Sequence, residues 1–232
     1  MEFKRLLIKL SGEALKNNKQ GICDFDYVLE LCKKIANLLK KGYQIGIVVG
    51  GGNLWRGRDN TYIDSDISDK IGILSTTMNS LILNAAFKEL EIESKVFNSA
   101  FIENLVDKAS IERIEDELKN NTILIFGGGT GEVGCSTDTA AAQRAIDMKA
   151  DIIIKLTNVD GIYDKDPDVY SNAKMYKTIS YQEVIENELK VMDERSFILC
   201  MENNIPIIVS NINKDIELSL NLKDCTIVGN FI

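Results

Sequence analysis

Two glycine clusters in this chain close apolar runs: Gly50-Gly-Gly-Asn53 follows residues 45–49, and Gly127-Gly-Gly-Thr-Gly131 follows residues 122–126. Consecutive glycines let a backbone approach a phosphate closely and present several N–H groups to it. Open α/β sheets place their ligands at such strand ends. One corner of this kind suits a nucleotide; two suggest transfer between two phosphorylated molecules. Neither cluster has the spacing of a dinucleotide fingerprint or of a P-loop. Arg56, three residues beyond Asn53, adds a planar cation suited to phosphate oxygens.

Three further segments carry chemistry. Lys9-Leu-Ser-Gly12 ends the first apolar run. A lysine there would neutralise charge on a moving phosphoryl group while the Ser11 and Gly12 amides hold oxygens. Taken alone, the same residues also read as a snorkelling lysine before an ordinary turn. Downstream of the second cluster, Ser136-Thr-Asp-Thr-Ala140 opens a helix, with Ser136, Thr137 or Asp138 as its cap. Asp138 would organise a magnesium nucleotide or orient the lysine; it has no proton to abstract, because a phosphate nucleophile is already anionic. Thr157-Asn-Val-Asp-Gly161 and the following Ile-Tyr-Asp-Lys-Asp-Pro167 place a turn, an aromatic ring and carboxylates where an adenine and ribose would be received. Asp164, Asp166 and Asp168 alternate as in a calcium loop, but neither its glycine nor its distal glutamate is present.

The elements that must position these groups follow from hydrophobic periodicity. Strands are predicted at 3–10, 45–49, near Val96, and at 122–126, 152–156, 206–209 and 226–228. Helices are predicted at 25–40, about 68–90, 111–118, 139–149, 181–189 and 194–203, with Gly42 ending the first. The unbroken Ile152-Ile-Ile run is typical of a strand buried on both faces. Such alternation predicts a three-layer α-β-α sandwich with a mostly parallel central sheet. Residues 71–87 are uncharged but contain Ser75, Thr76, Thr77, Asn79, Ser80 and Asn84, too many polar groups for a membrane span. They read as a helix buried against the sheet or against another subunit.

Composition narrows the function. The 232 residues fit a single domain, 1–232, with 45% hydrophobic residues and only two prolines, Pro167 and Pro206. A net charge of −8 disfavours nucleic acid as a partner. A small anion stays compatible, since local cations and helix amino termini bind it inside an acidic protein. The five scattered cysteines read as reduced thiols of a cytoplasmic protein, and a core strand so close to Met1 leaves no room for a signal peptide. With no histidine in the chain, catalytic triads and the usual zinc sites are excluded, and no residue is assigned as a metal ligand.

Together, Lys9-Leu-Ser-Gly-Glu13, Gly50-Gly-Gly-Asn-Leu-Trp-Arg-Gly57, Gly129-Thr-Gly131 with Ser136-Thr-Asp-Thr139, Val159-Asp-Gly-Ile-Tyr163 with Asp166-Pro167, and Lys190-Val-Met-Asp193 closely resemble bacterial uridylate (UMP) kinase, a member of the amino-acid-kinase superfamily. The motifs keep family order and span nearly the whole chain. The resemblance implies the amino-acid-kinase fold and the reaction of MgATP with UMP to give ADP and UDP. It implies Lys9 and Asp138 as catalytic residues. Lys9, Leu10, Ser11, Gly12, Gly52, Arg56, Thr157, Tyr163 and Asp166 would bind ATP. UMP would be held by Gly51, Arg56, Asp69 and the segment Thr130, Gly131, Glu132, Val133, Gly134, Cys135, Ser136 and Thr137, with Arg56 on its phosphate and Asp69 on its ribose. Asp193 matches a family position without an evident role.

The chain also departs from that pattern. Glu132-Val-Gly-Cys135 stands where the family usually reads Asn-Pro and two aromatic residues, which alters hydrogen bonding and packing around the acceptor. The family is similar in forming homo-hexamers, often activated by GTP and inhibited by UTP. Asn84 and Lys95 stand at the positions matching its GTP site, where lysine lacks the bidentate grip of arginine. Two rivals are a related kinase with another acceptor, such as a carboxylate, carbamate or isopentenyl phosphate, and a nucleotide sensor without turnover. Arg56 and Asp69 favour a phosphorylated nucleoside acceptor.

Overall fold

The computed structural model describes residues 3–17, 19–60, 62–189 and 191–229, so Lys190 of the Lys190–Asp193 motif lies outside the described residues. Among the described residues nine strands form one sheet: β1 (Arg5–Leu10), β2 (Gln44–Val49), β3 (Ser94–Asn98), β4 (Asp107–Lys108), β5 (Ile123–Gly127), β6 (Ile152–Thr157), β7 (Thr178–Ile179), β8 (Ile207–Asn211) and β9 (Thr226–Val228). Their order is β4-β3-β5-β2-β1-β6-β8-β9-β7, and every pairing is parallel except β8 with β9. The central strand β1 has β2 on one side and β6 on the other. The carboxyl ends of β1, β2, β5 and β6 therefore share one edge, and the connections that leave it carry all the glycine motifs.

Among the described residues seven α-helices cover the sheet: α1 (Phe25–Lys40), α2 (Ser65–Glu89), α3 (Ile111–Lys119), α4 (Thr137–Asp147), α5 (Tyr181–Glu186), α6 (Glu194–Glu202) and α7 (Ile216–Leu220). On one face Leu6, Ile8 and Leu10 of β1 pack with Leu31 and Ile35 of α1, Leu83 and Phe87 of α2, and Ile216 of α7. On the other, Leu7, Val48 and Ile153 pack with Ala141 and Ala145 of α4, Ile114 of α3 and Phe197 of α6. This is the expected three-layer α-β-α arrangement.

Capping explains where the boundaries differ from those expected. The Asp64 carboxylate accepts from the amides of Asp66 and Ile67, so α2 begins at Ser65 rather than 68. The hydroxyl of Ser136 accepts from Asp138 and Thr139, which selects it among the three cap candidates and starts α4 at Thr137 rather than 139. Gly42, at φ +93°, closes α1 as expected. Helix α5 stops at Glu186 instead of 189. The short elements β4, β7 and α7 were not expected; two to five residues carry too little periodicity to be read.

Helix α2 has a polar inner face. Buried Asn79 donates to the carbonyl of Gly50 at 2.7 Å, and Thr76 Oγ1 accepts from the Gly128 amide at 2.9 Å. Thr77 donates to Asn98 at 3.1 Å, while Ser75 and Ser80 donate to carbonyls one turn back. These hydroxyls and amides fasten both glycine turns to one helix. Its outer side exposes Ile67, Leu74 and Met78 at helical spacing. No helix among the described residues is long and apolar enough to cross a membrane.

The glycine turns also press on one another. A Cβ added at Gly12 would lie 2.5 Å from the Gly50 carbonyl oxygen and 2.7 Å from the Gly52 nitrogen, whereas one added at Gly72 in α2 meets nothing within 4 Å. Gly12→Ala is thus expected to cost about 1–3 kcal/mol through overpacking. Gly72→Ala should gain about 0.5–1 kcal/mol from helix propensity. Denaturant titration of the two variants checks the opposite signs.

Candidate active site

A cavity of about 520 Å³ opens at the carboxyl edge of β1, β2 and β5. Because β5 lies beside β2, the two glycine clusters line this one cavity together with Ser11 and Gly12. The two corners suggested by sequence are walls of a single chamber. Lys9, Gly51, Gly52, Arg56 and Asp69 face it, as do Thr130, Glu132, Cys135, Ser136 and Thr137. Among the other expected residues, Leu10 is fully buried in the core, while Gly131, Val133 and Gly134 belong to the rim loop without lining the cavity.

Each charged group has a defined partner. Arg56 Nε donates to the Gly52 carbonyl and to Glu13 Oε1, both at 3.2 Å, and its Nη2 lies 3.1 Å from the same Glu13 oxygen. Glu13 therefore holds the guanidinium beside the Gly50–Asn53 turn, on the wall of the cavity. Asp69 Oδ2 accepts from the Gly134 amide at 2.7 Å, tying α2 to the rim loop. Arg195, at the start of α6, donates to Cys135 Sγ at 3.0 Å and lies 3.7 Å from Glu132. The divergent segment is thus anchored from α6.

Behind Lys9 lies a compact ionic cluster. Lys9 Nζ is 2.7 Å from Asp138 Oδ1, and Lys155 Nζ is 3.1 Å from Asp138 Oδ2 and also donates to the carbonyl of Val191. The three side chains are only 9%, 17% and 12% exposed for Lys9, Asp138 and Lys155. Burial alone would raise the Asp138 carboxyl, but Lys9 and Lys155 together hold it below its ordinary value. Burial, reinforced by Lys9, pulls Lys155 down to about 8 against the opposing pull of Asp138. Asp193 caps α6, accepts from the hydroxyls of Ser136 and Thr139, and so joins the starts of α4 and α6.

Thr157, the last residue of β6, lies outside the cavity, as do Tyr163 and Asp166 on the connection that follows it. Asp166 closes its own turn by accepting from the Asp168 amide at 2.9 Å, and Tyr163 bridges to Met175. Nearby, Asp160 is held by Asn211 at 3.0 Å and by Lys214 at 3.0 Å. Lys155, Glu13, Arg195 and Lys214 were not singled out from sequence. The signal for Lys155 is that it is the one charged residue of β6; Glu13 stands inside the Lys9–Glu13 motif.

The sequence matches the amino acid kinase family over residues 4–211. It is 44% identical over 215 residues to a uridylate kinase of Buchnera aphidicola subsp. Schizaphis graminum, covering 91% of this chain and 89% of that protein. A uridylate kinase of Buchnera aphidicola subsp. Baizongia pistaciae is 42% identical over 217 residues, with 92% and 89% covered. The fold superimposes on the crystal structure of UMP kinase from Ureaplasma parvum with a TM-score of 0.93 at 36% identity, over 99% of this chain and 100% of that one. For UMP kinase from Bacillus anthracis the TM-score is 0.95 at 30% identity, over 100% and 98%.

Proposed function

The chain belongs to the amino acid kinase family, and from that premise we propose that it transfers the γ-phosphoryl group of ATP to UMP, giving ADP and UDP. The observation that carries this reading is the single chamber in which Lys9, Arg56 and the glycine turns converge. A UMP phosphate oxygen attacks the γ-phosphorus, the bond to the β–γ bridging oxygen breaks, and ADP leaves. No proton has to be removed from the nucleophile, so catalysis is positioning and charge stabilisation. Lys9 meets charge developing on the transferred group, and the amides of Ser11, Gly12, Gly51 and Gly52 hold its oxygens. Asp138 is shared by two lysines, so its role is to orient Lys9. Magnesium would enter as MgATP, carried by the phosphate oxygens of the donor.

Arg56 is assigned to the phosphates and Asp69 to the acceptor ribose, with the rim loop 130–137 around UMP. Thr157, Tyr163 and Asp166 are assigned to the adenosine end of ATP. Reaction of purified protein with MgATP and, separately, UMP, CMP, dUMP, AMP or no acceptor tests the reading. ADP formed only with a uridine nucleotide supports it, while UMP binding without ADP production favours the sensor. Arg56→Ala is expected to raise KM for UMP by about 10–100-fold, since a charge-assisted bidentate contact contributes about 1.5–3 kcal/mol. Steady-state kinetics with UMP as the varied substrate checks it.

Three further features complete the proposal. The nine strands share a sheet, which supports reading 1–232 as one domain. The outward Ile67, Leu74 and Met78 of α2 support a homo-oligomer, for which the hexamer is the expected form. UTP inhibition would follow from occupation of the UMP site. At the positions matched to GTP, Asn84 accepts from Ser94 at 3.0 Å and Lys95 pairs with Asp107 at 3.2 Å, so both are already engaged. The five cysteines are all unpaired, which suits a reducing compartment and supports a cytoplasmic setting, with pyrimidine nucleotide synthesis as the usual role.

A further inference from the structure

The rim loop meets the cavity through Glu132 and Cys135, and its backbone enters the left-handed region at Gly131 and Gly134, with φ +83° and +77°. A segment with two such glycines and no proline has little stiffness of its own, so its shape depends on what grips it from outside. Among the described residues, side chains of two elements reach residues 131–135 by hydrogen bond or ion pair. From α2, Asp69 accepts from the Gly134 amide at 2.7 Å. From α6, Arg195 spreads its fork over two residues: Nη1 donates to Cys135 Sγ at 3.0 Å, and Nη2 lies 3.7 Å from Glu132 Oε2. The Cys135 thiol lies 3.7 Å from that same carboxylate oxygen, which closes a triangle. Arg195 itself does not line the cavity.

The two grips are not equivalent. Asp69 is the carboxylate assigned to the acceptor ribose, so it divides itself between loop and substrate, whereas the substrate makes no claim on Arg195. Glu132 also sets a negative charge on the wall of a chamber that must admit an anionic acceptor, and the Arg195 guanidinium is the cation beside it. We propose that Arg195 is a positioning residue for acceptor binding: it fixes loop 132–135 against α6 and neutralises Glu132, so that the acceptor side of the chamber is formed before the nucleotide arrives. This rests on the kinase reading and deepens it. Arg195 stands in the first turn of α6, which Asp193 caps, so its backbone is fixed at the point from which the side chain reaches the loop. Preorganisation of this kind lowers the ordering cost of binding and leaves the chemical step alone.

Arg195→Ala and Arg195→Lys test this in the full chain. Arg195→Ala should raise KM for UMP about 3–10-fold, the scale of an exposed ion pair with one charged hydrogen bond, with kcat and KM for ATP within about twofold of wild type. Tm should change little, because both partners of the ion pair are mostly exposed. Lysine is a point charge that reaches one partner rather than two, so Arg195→Lys should recover part of the loss. The defining result is non-additivity: in a protein already carrying Glu132→Gln and Cys135→Ala, Arg195→Ala should change KM for UMP by less than about twofold. Independently of turnover, amide hydrogen exchange of the acceptor-free protein should be at least about threefold faster across 130–136 in Arg195→Ala and unchanged in β1 and β2. A KM for UMP within about twofold of wild type in Arg195→Ala overturns the proposal. So does a loss confined to kcat, an undiminished effect in the doubly substituted background, or loop exchange identical to wild type. Wild-type protein that forms no UMP-dependent ADP sinks the kinase reading instead, and the exchange result then decides the loop tether alone.

Discussion

Replacing Lys9 by alanine is expected to lower kcat about a thousandfold while leaving the fold intact. The ammonium is the cation of the ionic cluster that reaches the cavity, and loss of one such preorganised group costs about 10²–10³ in kcat. Its removal also leaves Asp138 and Lys155 as a neutral pair 3.1 Å apart, so no buried charge is stranded. Stability should therefore change little, and circular dichroism melts should place Tm within a few degrees of wild type. Lys9→Arg should not rescue fully, because a planar fork replaces a compact point charge against a glycine turn already pressed by its neighbour. Single-turnover measurement of ADP formation separates this chemical defect from a binding defect. A Lys9→Ala enzyme that keeps more than about a tenth of wild-type kcat would remove Lys9 from the reaction.

Asp138→Asn has the opposite profile, a large loss of stability together with a large loss of rate. The substitution strands two lysines in lateral register, with no carboxylate between them. Breaking a buried ionic contact from one side costs about 3–5 kcal/mol, and Lys9, no longer oriented, should lose about 10²-fold in kcat. The pH dependence has a defined sign. The native Asp138 carboxyl titrates below its ordinary value, so its contribution to stability is present above the ordinary carboxylate range and is lost as pH falls through the native pKa. That acid-side loss should be missing in Asp138→Asn. Conversely, Lys155 is already pulled to about 8, so the unfolded chain binds more protons between about pH 8 and 10, and stability linked to this group rises with pH there. The gap in Tm between wild type and variant should narrow from pH 7 to pH 9, as the stranded lysine sheds its proton. A constant gap would show that the two lysines do not carry the cost.

The strands that build the site were legible for a local reason. Those at β1, β2, β5 and β6 are apolar runs cut off by glycine or polar turns, and such a boundary needs no knowledge of the rest of the chain. The contact of Lys9 with Asp138 matches one of the two roles read for Asp138 from sequence, orienting the lysine, although each motif alone also reads as an ordinary turn or helix cap. What escaped was set by adjacency. The glycine clusters at 50–53 and 127–131 lie far apart in sequence, and only the placement of β5 beside β2 merges their two corners into one chamber. The grip of Arg195 on Cys135 and Glu132 reaches across about 60 residues and follows no periodicity. Asp193, whose place in the motif carried no role, owes its meaning to the hydroxyls of Ser136 and Thr139 on another helix. Lys155 escaped for a different reason: a strand reading Ile-Ile-Ile-Lys-Leu-Thr is explained by burial without it.

The same lysine bears on how the sheet finds its alignment. β6 is apolar on both faces, Ile152, Ile154 and Leu156 turning toward one core and Ile153 toward the other, so its aliphatic pattern discriminates weakly between neighbouring offsets against β1. A slip of a single residue would drive an ammonium into the layer of Leu6, Ile8 and Leu10, where burial of an unpaired charge is prohibitive. The native offset alone seats it opposite Lys9 and within reach of Asp138. Lys155 thus acts as an index pin for strand alignment, rejecting misassembled sheets before any substrate arrives.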